Sequence, residues 1–140
     1  MHFTDQLHRI IFLPKPPERI ISLVPSQTEL LVELGLEERI VGVTKFCIHP
    51  KHLKKRKTIV GGTKNYRFEV IDSLKPDLII GNKEENDRES IEKLAEKYPV
   101  WMTDIFSLAK QAPKSCQAQR FLLLNVVLKT LSRTIDCQIL

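Results

Sequence analysis

Residues Arg19 to Thr44, RIISLVPSQTELLVELGLEERIVGVT, constrain the fold more than any other part of the chain. Ile20, Ile21, Leu23 and Val24 form a β-rich apolar run without alternation. Such a run fits a strand covered on both faces, here Arg19–Val24. A Pro-Ser-x-x-Glu helix start follows at Pro25–Glu29, with Ser26 as N-cap and Glu29 completing a capping box. Leu30, Leu31 and Leu34 supply an apolar face at helical spacing. Gly35 is placed to end the helix in a left-handed turn, and Ile40–Val43 reads as a second strand. The result is a β-α-β unit whose helix begins at the carboxyl end of a strand, the edge at which open α/β sheets bind ligands. Free backbone N–H groups and the positive end of the helix dipole lie there. Ser26 and Glu29 serve as a cap, as ligand contacts, or as both.

The rest of residues 1–104 repeats that alternation. Phe3–Leu13 reads as a β-hairpin around Asp5–His8, and Lys15–Pro17 as a stiff link. Phe46–His52 is a loop or single helical turn. Thr58–Val60 is a short strand ending in a Gly61-Gly62 turn. Phe68–Leu74 is a helix with Val70, Ile71 and Leu74 on its apolar side, broken by Lys75-Pro76-Asp77. Leu78–Ile80 is a buried strand ending at Gly81. Asn86 with Glu89 offers a second capping box, opening a helix through Tyr98 with Ile91, Leu94 and Ala95 inward. Pro99–Thr103 is the last strand. Strands alternating with helices imply an α/β domain with a mainly parallel sheet.

The 140 residues suit one modest domain, and a 42% hydrophobic content is ordinary for a globular protein. No apolar run approaches the roughly 20 residues of a membrane span. The opening MHFTDQLHRIIFLPKPP lacks the pattern of a signal peptide: Asp5 falls where a basic region belongs, and Pro14, Pro16 and Pro17 interrupt any apolar stretch. Read literally, that places the chain in the cytoplasm. Three irregularly spaced cysteines, Cys47, Cys116 and Cys137, do not make a disulfide framework and agree with a reducing compartment.

The net charge of +5 is uneven. Residues 1–104 hold 17 basic and 16 acidic side chains, and residues 105–140 hold 5 and 1. The cluster Lys51–Lys57, KHLKKRK, reads as a solvated turn or short helix, or as a contact for an acidic partner or nucleic acid. Little aromatic material interleaves it, which argues against a stacking platform for single strands. The expectation is therefore no nucleic-acid partner.

The runs RIISLVPSQTELLVELGLEERIVGVT and, at Phe68–Ile80, FEVIDSLKPDLII resemble the iron/cobalamin periplasmic-binding domain, over about residues 1–106. The resemblance implies a Rossmann-like first lobe of a substrate-binding protein serving an ABC importer for cobalamin, haem or ferric siderophores. It also implies an ABC permease as partner, and a periplasmic or cell-surface location, in tension with the missing signal peptide. Nothing after Asp104 resembles the family's second lobe. From about residue 107 the expectation is a non-family tail, frameshifted or truncated and helical, with impaired binding as the consequence; an authentic amphipathic helix at Gln117–Leu131, packing on the sheet, is the milder alternative. An intracellular scaffold or regulator reusing the lobe for protein contacts is the alternative.

Loops after successive strands should converge on one edge. The candidate ligand-binding residues are Pro25, Ser26 and Gln27; Phe46, Cys47 and His49; Gly62, Thr63 and Lys64; and Asn82, Lys83 and Glu84. Phe46 matches a family position that carries an aromatic against a flat macrocycle, and also reads as packing under the loop. Where some family members carry an aromatic ligand contact, this chain has Thr63, which weakens the case for cobalamin. Cys47 and His49 are two apart, so an extended backbone would put both on one side, where they could ligate an iron or cobalt centre. The plainer reading is a half-buried thiol and a surface imidazole. Gly61-Gly62-Thr63-Lys64 lacks the phosphate-loop pattern. Glu69 aligns with the family glutamate that docks on permease arginines. The chain has no nucleophile elbow, no His-Glu-x-x-His and no dinucleotide fingerprint, so no enzyme activity and no intrinsic cofactor are expected.

Overall fold

A computed structural model describes residues 2–5 and 7–103. The expected tail, with its apolar helix and its two cysteines, lies outside the described residues. The elements run β1 (His2–Thr4), β2 (Ile10–Phe12), β3 (Ile20–Ser22), α1 (Pro25–Glu33), β4 (Ile40–Val43), α2 (Leu53–Arg56), β5 (Thr58–Ile59), α3 (Phe68–Leu74), β6 (Leu78–Asn82), α4 (Arg88–Lys97) and β7 (Val100–Thr103). A 3₁₀ turn at Glu37–Arg39 precedes β4. β1 and β2 pair antiparallel. The other five strands form one sheet in the order β5-β4-β3-β6-β7, every pair parallel. This is the expected α/β lobe with an N-terminal hairpin.

The sheet is covered on both faces, and the pleat sorts its residues. Ile20, Ile40, Leu78, Ile80 and Trp101 join Leu30 and Leu31 of α1 and Ile11 and Leu13 of the hairpin in one core cluster. Ile21, Ile79, Val100 and Met102 join Ile71 of α3 and Ile91 and Leu94 of α4 in the other. The apolar run without alternation at β3, broken only by the buried Ser22, is explained by that double cover. Ile21 and Ile79 are wholly buried, and each such side chain contributes about 1.5–3 kcal/mol of transfer free energy.

Helix boundaries follow local chemistry, with three corrections to the sequence reading. Pro25, not Ser26, sets the start of α1: it occupies the first helical position, and Val24 is the N-cap in extended conformation (φ −134°, ψ 128°) without a side-chain cap bond. The residue before proline is held extended, which is the N-cap conformation. Ser26 therefore sits inside the first turn, exposed, and the Ser26–Glu29 capping box is not formed. At α4 the cap is Asp87, whose carboxylate accepts from Ser90 N at 3.0 Å. Asn86 is buried and used elsewhere. Ala95 is exposed rather than inward. The other end of α1 behaves as expected. Gly35 has φ +76°, its N–H donates to Val32 O, and Leu36 N donates to Leu31 O. That pair of bonds is the Schellman closure.

Two carboxylates tie the sheet to its surroundings. Asp77, in the Leu-Lys-Pro-Asp-Leu run, accepts from Glu18 N (2.8 Å) and Arg19 N (2.9 Å), and so fixes the entry to β3. Asp5 is 4% exposed. It accepts from Leu7 N and Arg9 N (both 2.9 Å), from Arg9 Nε (3.0 Å) and from Met102 N (3.3 Å). Arg9 Nη2 then donates to Val100 O (2.8 Å). The hairpin turn thus caps the outer edge of β7 with side chains, covering backbone groups that would otherwise template strand addition.

Replacing Asp5 with Ala leaves Met102 N without its acceptor and removes the Arg9 Nε bond, while Arg9 keeps its bond to Val100 O. Asp5→Ala is expected to lower unfolding free energy by about 2–4 kcal/mol in urea titration, with Asp5→Asn recovering part of the loss. A change below about 0.5 kcal/mol would remove the clamp from the account.

Candidate ligand-binding rim

Parallel strands place every crossover loop that leaves a carboxyl end on one side of the sheet. In chain order the strands step from β3 to β4 and β5 on one side, then return to β6 and β7 on the other. The order reverses at the carboxyl ends of β3 and β6, where a crevice is expected in such folds.

Here that crevice is filled by Asn86. Its Oδ1 accepts from Asn82 N at 2.7 Å. Its Nδ2 faces Thr63 O (3.0 Å), the Tyr66 hydroxyl (2.7 Å) and Leu23 O (3.4 Å). The Tyr66 hydroxyl in turn donates to Thr63 O. One buried amide therefore joins the loops after β3, β5 and β6. Gly81 leaves it room, since a Cβ there would lie 2.9 Å from Asn86 Oδ1 and 3.0 Å from Met102 Sδ. Burial pushes the Tyr66 phenol well above the usual tyrosine range, with the Asn86 bond pulling the other way.

The open part of the rim lies one strand over. A groove of about 560 Å³ runs between the loops after β4 and β5, and its lining includes Lys45, Phe46, Gly62, Thr63, Lys64 and Arg67. Lys45 N donates to Gly61 O at 2.8 Å, so the two loops are joined by backbone. Phe46 is 49% exposed, and Lys45 Nζ stands 5.1 Å from its ring centroid. Ile48, on the same loop, is 54% exposed.

Of the predicted site residues, Phe46, Gly62, Thr63 and Lys64 come together in this groove. Pro25 and Ser26 begin α1, and Lys83 and Glu84 follow β6, on the same edge but outside the groove. Gln27 and Asn82 are buried beneath the rim. Gln27 Nε2 faces Thr103 Oγ1 at 3.5 Å, and Asn82 Oδ1 accepts from Glu84 N at 2.8 Å. Cys47 and His49 do not share a side. Cys47 N donates to Thr44 O, which turns the chain inward; the thiol is wholly buried, 3.2 Å from Thr28 Oγ1 and 3.3 Å from Thr44 Oγ1. His49 is exposed. Among the described residues no cluster of three or more His, Cys, Asp or Glu is arranged to hold a metal. Glu69 lies exposed in the first turn of α3. Sequence reasoning missed Lys45 and Arg67, which flank the Phe46 and Gly-Gly segments, and missed Tyr66 as a partner for Asn86.

Two outcomes follow from this geometry. Asn86→Leu keeps the volume and removes the bonds, so it is expected to cost about 2–3 kcal/mol and to broaden the amide resonances of Thr63 and Lys83; an unshifted spectrum would count against the stitch. The second concerns pH. Tyr98, hydrogen-bonded to the Asp72 carboxylate, has its pKa pushed up to about 12. With Tyr66 also raised, both tyrosines bind their protons more tightly folded than unfolded. Their contribution is complete below the unfolded value of about 10 and is lost as pH climbs through the folded values. Tyrosinate absorbance should stay flat through about pH 10; a midpoint there would contradict the assignment.

Comparison with known proteins agrees with this architecture. The family model described as periplasmic binding protein matches residues 20–104. The chain is 38% identical over 79 residues to the uncharacterized ABC transporter substrate-binding lipoprotein YvrC of Bacillus subtilis, covering 56% of this chain and 24% of that protein. Among solved structures it is similar to the periplasmic vitamin B12 binding protein BtuF of Vibrio cholerae (TM-score 0.59, 32% identity, 65% of this chain and 36% of that one). It is also similar to a periplasmic haem-binding protein from Pseudomonas aeruginosa (TM-score 0.62, 26% identity, 87% and 43%). The chain spans 24 to 31% of the length of the curated relatives it matches. With the matched segment running from the first strand of its parallel sheet to the end of the last, the chain belongs to the periplasmic binding protein family.

Proposed function

We propose that this chain captures a metal chelate, cobalamin or an iron complex such as haem or a ferric siderophore, for delivery to an ABC permease. The observation that carries the reading is the meeting of Phe46, Gly62, Thr63 and Lys64 in one groove at the carboxyl edge of the sheet. A half-exposed ring beside a glycine floor suits a flat or aryl-bearing ligand. The vitamin B12 and haem binders among its structural relatives support a ligand of that kind. Glu69, exposed at the start of α3, is the residue proposed to dock on basic side chains of the permease. Capture here is non-covalent.

The described residues provide one wall. A high-affinity pocket of this sort buries most of the ligand surface, and one wall buries much less, so these residues alone should bind weakly. Titration of ¹⁵N-labelled protein with cyanocobalamin, haemin and a ferric siderophore is expected to shift the amides of Phe46, Gly62, Thr63 and Lys64 for at least one of them. The fitted dissociation constant should be weaker than about 1 μM. Shifts confined to the opposite end of the sheet, or no shifts at all, would overturn the assignment of the rim.

A further inference from the structure

The groove is lined by three cations, Lys45, Lys64 and Arg67, and by no carboxylate. All three side chains are exposed, and among the described residues no ion pair engages them. The acid that Lys64 acts on, Asp87, has its Oδ2 occupied by Ser90 N (3.0 Å) and Ser90 Oγ (2.9 Å). Lys45 is held over the Phe46 ring. Gly62 supplies a floor without a side chain, where a Cβ would lie 3.5 Å from both Lys45 Cε and Phe46 Cε2.

A neutral ligand lying on this surface would desolvate ammonium and guanidinium groups without replacing their water by charge. An anion does replace it, and an aryl group bearing that anion meets the Phe46 ring at the same time. We infer that the groove selects a polyanionic, aryl-bearing metal chelate over a neutral corrinoid, although a vitamin B12 binder stands among the chain's structural relatives. The inference rests on the proposal that the rim is a chelate site, and names its ligand class.

The test compares two probes on the full chain: the trianionic ferric complex of a hexadentate tris-catecholate, and neutral cyanocobalamin. Binding is read from the amide shifts of Gly62, Thr63 and Lys64. The inference expects the tris-catecholate to bind at least about tenfold more tightly. That affinity should fall steeply between about 0.05 and 0.5 M salt. Lys45→Glu with Lys64→Glu should lower it about tenfold or more. Lys54→Glu with Lys55→Glu, an equal charge change on exposed residues of α2, should leave it within about twofold. Cyanocobalamin binding as tightly or more tightly, unmoved by the groove substitutions, would overturn the ligand class while leaving the chelate-capture reading standing. Equal losses from the α2 and groove pairs would reduce the effect to net charge and overturn the inference. Silence of the rim amides to both probes would overturn the ligand class and the chelate site together.

Discussion

The buried side-chain amide of Asn86 is the contact on which the rim depends. It satisfies Asn82 N and faces a carbonyl after β3, a carbonyl after β5 and the Tyr66 hydroxyl. A buried polar group of this kind is favourable only when its bonds are made. It therefore fixes three loops relative to one another and occupies the crevice that strand order creates. With the switch point filled, the accessible surface moves to the loops after β4 and β5, where Phe46 and three cations stand open.

The same economy operates at the other boundaries of the sheet. Asp77 secures the entry to β3, and the Asp5–Arg9 pair covers the outer edge of β7. Both carboxylates act on backbone N–H groups rather than on distant charges. That is why the motif Leu-Lys-Pro-Asp-Leu carries structural meaning: Lys75 takes a left-handed conformation to end α3, Pro76 prevents its continuation, and Asp77 turns back to the start of the central strand. The parallel register that follows aligns the loops, and the loops make the rim. The family match over residues 20–104 covers Lys75, Pro76 and Asp77, while the Asp5–Arg9 pair lies before it.

Much of this was legible in the chain. The non-alternating apolar run at β3, the Gly35 terminator and the proline break after α3 each have one local reading, and the structure bears those readings out. The caps were less legible, because Ser and Asn at such positions can bond locally or across the fold. Pro25 moved the helix start ahead of Ser26, and three converging loops recruited Asn86 and left the cap to Asp87. Cys47 and His49 share a side only on an extended backbone; the bond from Cys47 N to Thr44 O turns the thiol into the core and leaves His49 exposed, nearer to the plainer reading of a thiol apart from a surface imidazole. The cationic lining of the groove was hidden for another reason. Lys64 stands among the expected site residues, but Lys45 and Arg67 are ordinary surface residues in sequence, and the parallel pairing of β4 with β5, continued by the bond from Lys45 N to Gly61 O, brings their segments together.

The central claim is spatial: loops distant in sequence are locked side by side at one edge by Asn86. A nuclear Overhauser spectrum of the labelled protein tests it directly through the Asn86 side-chain amide protons. The account predicts cross-peaks from those protons to both Tyr66 and Thr63, and to the residues around Leu23. An Asn86 amide that exchanges freely with water and shows contacts only within its own loop would contradict it.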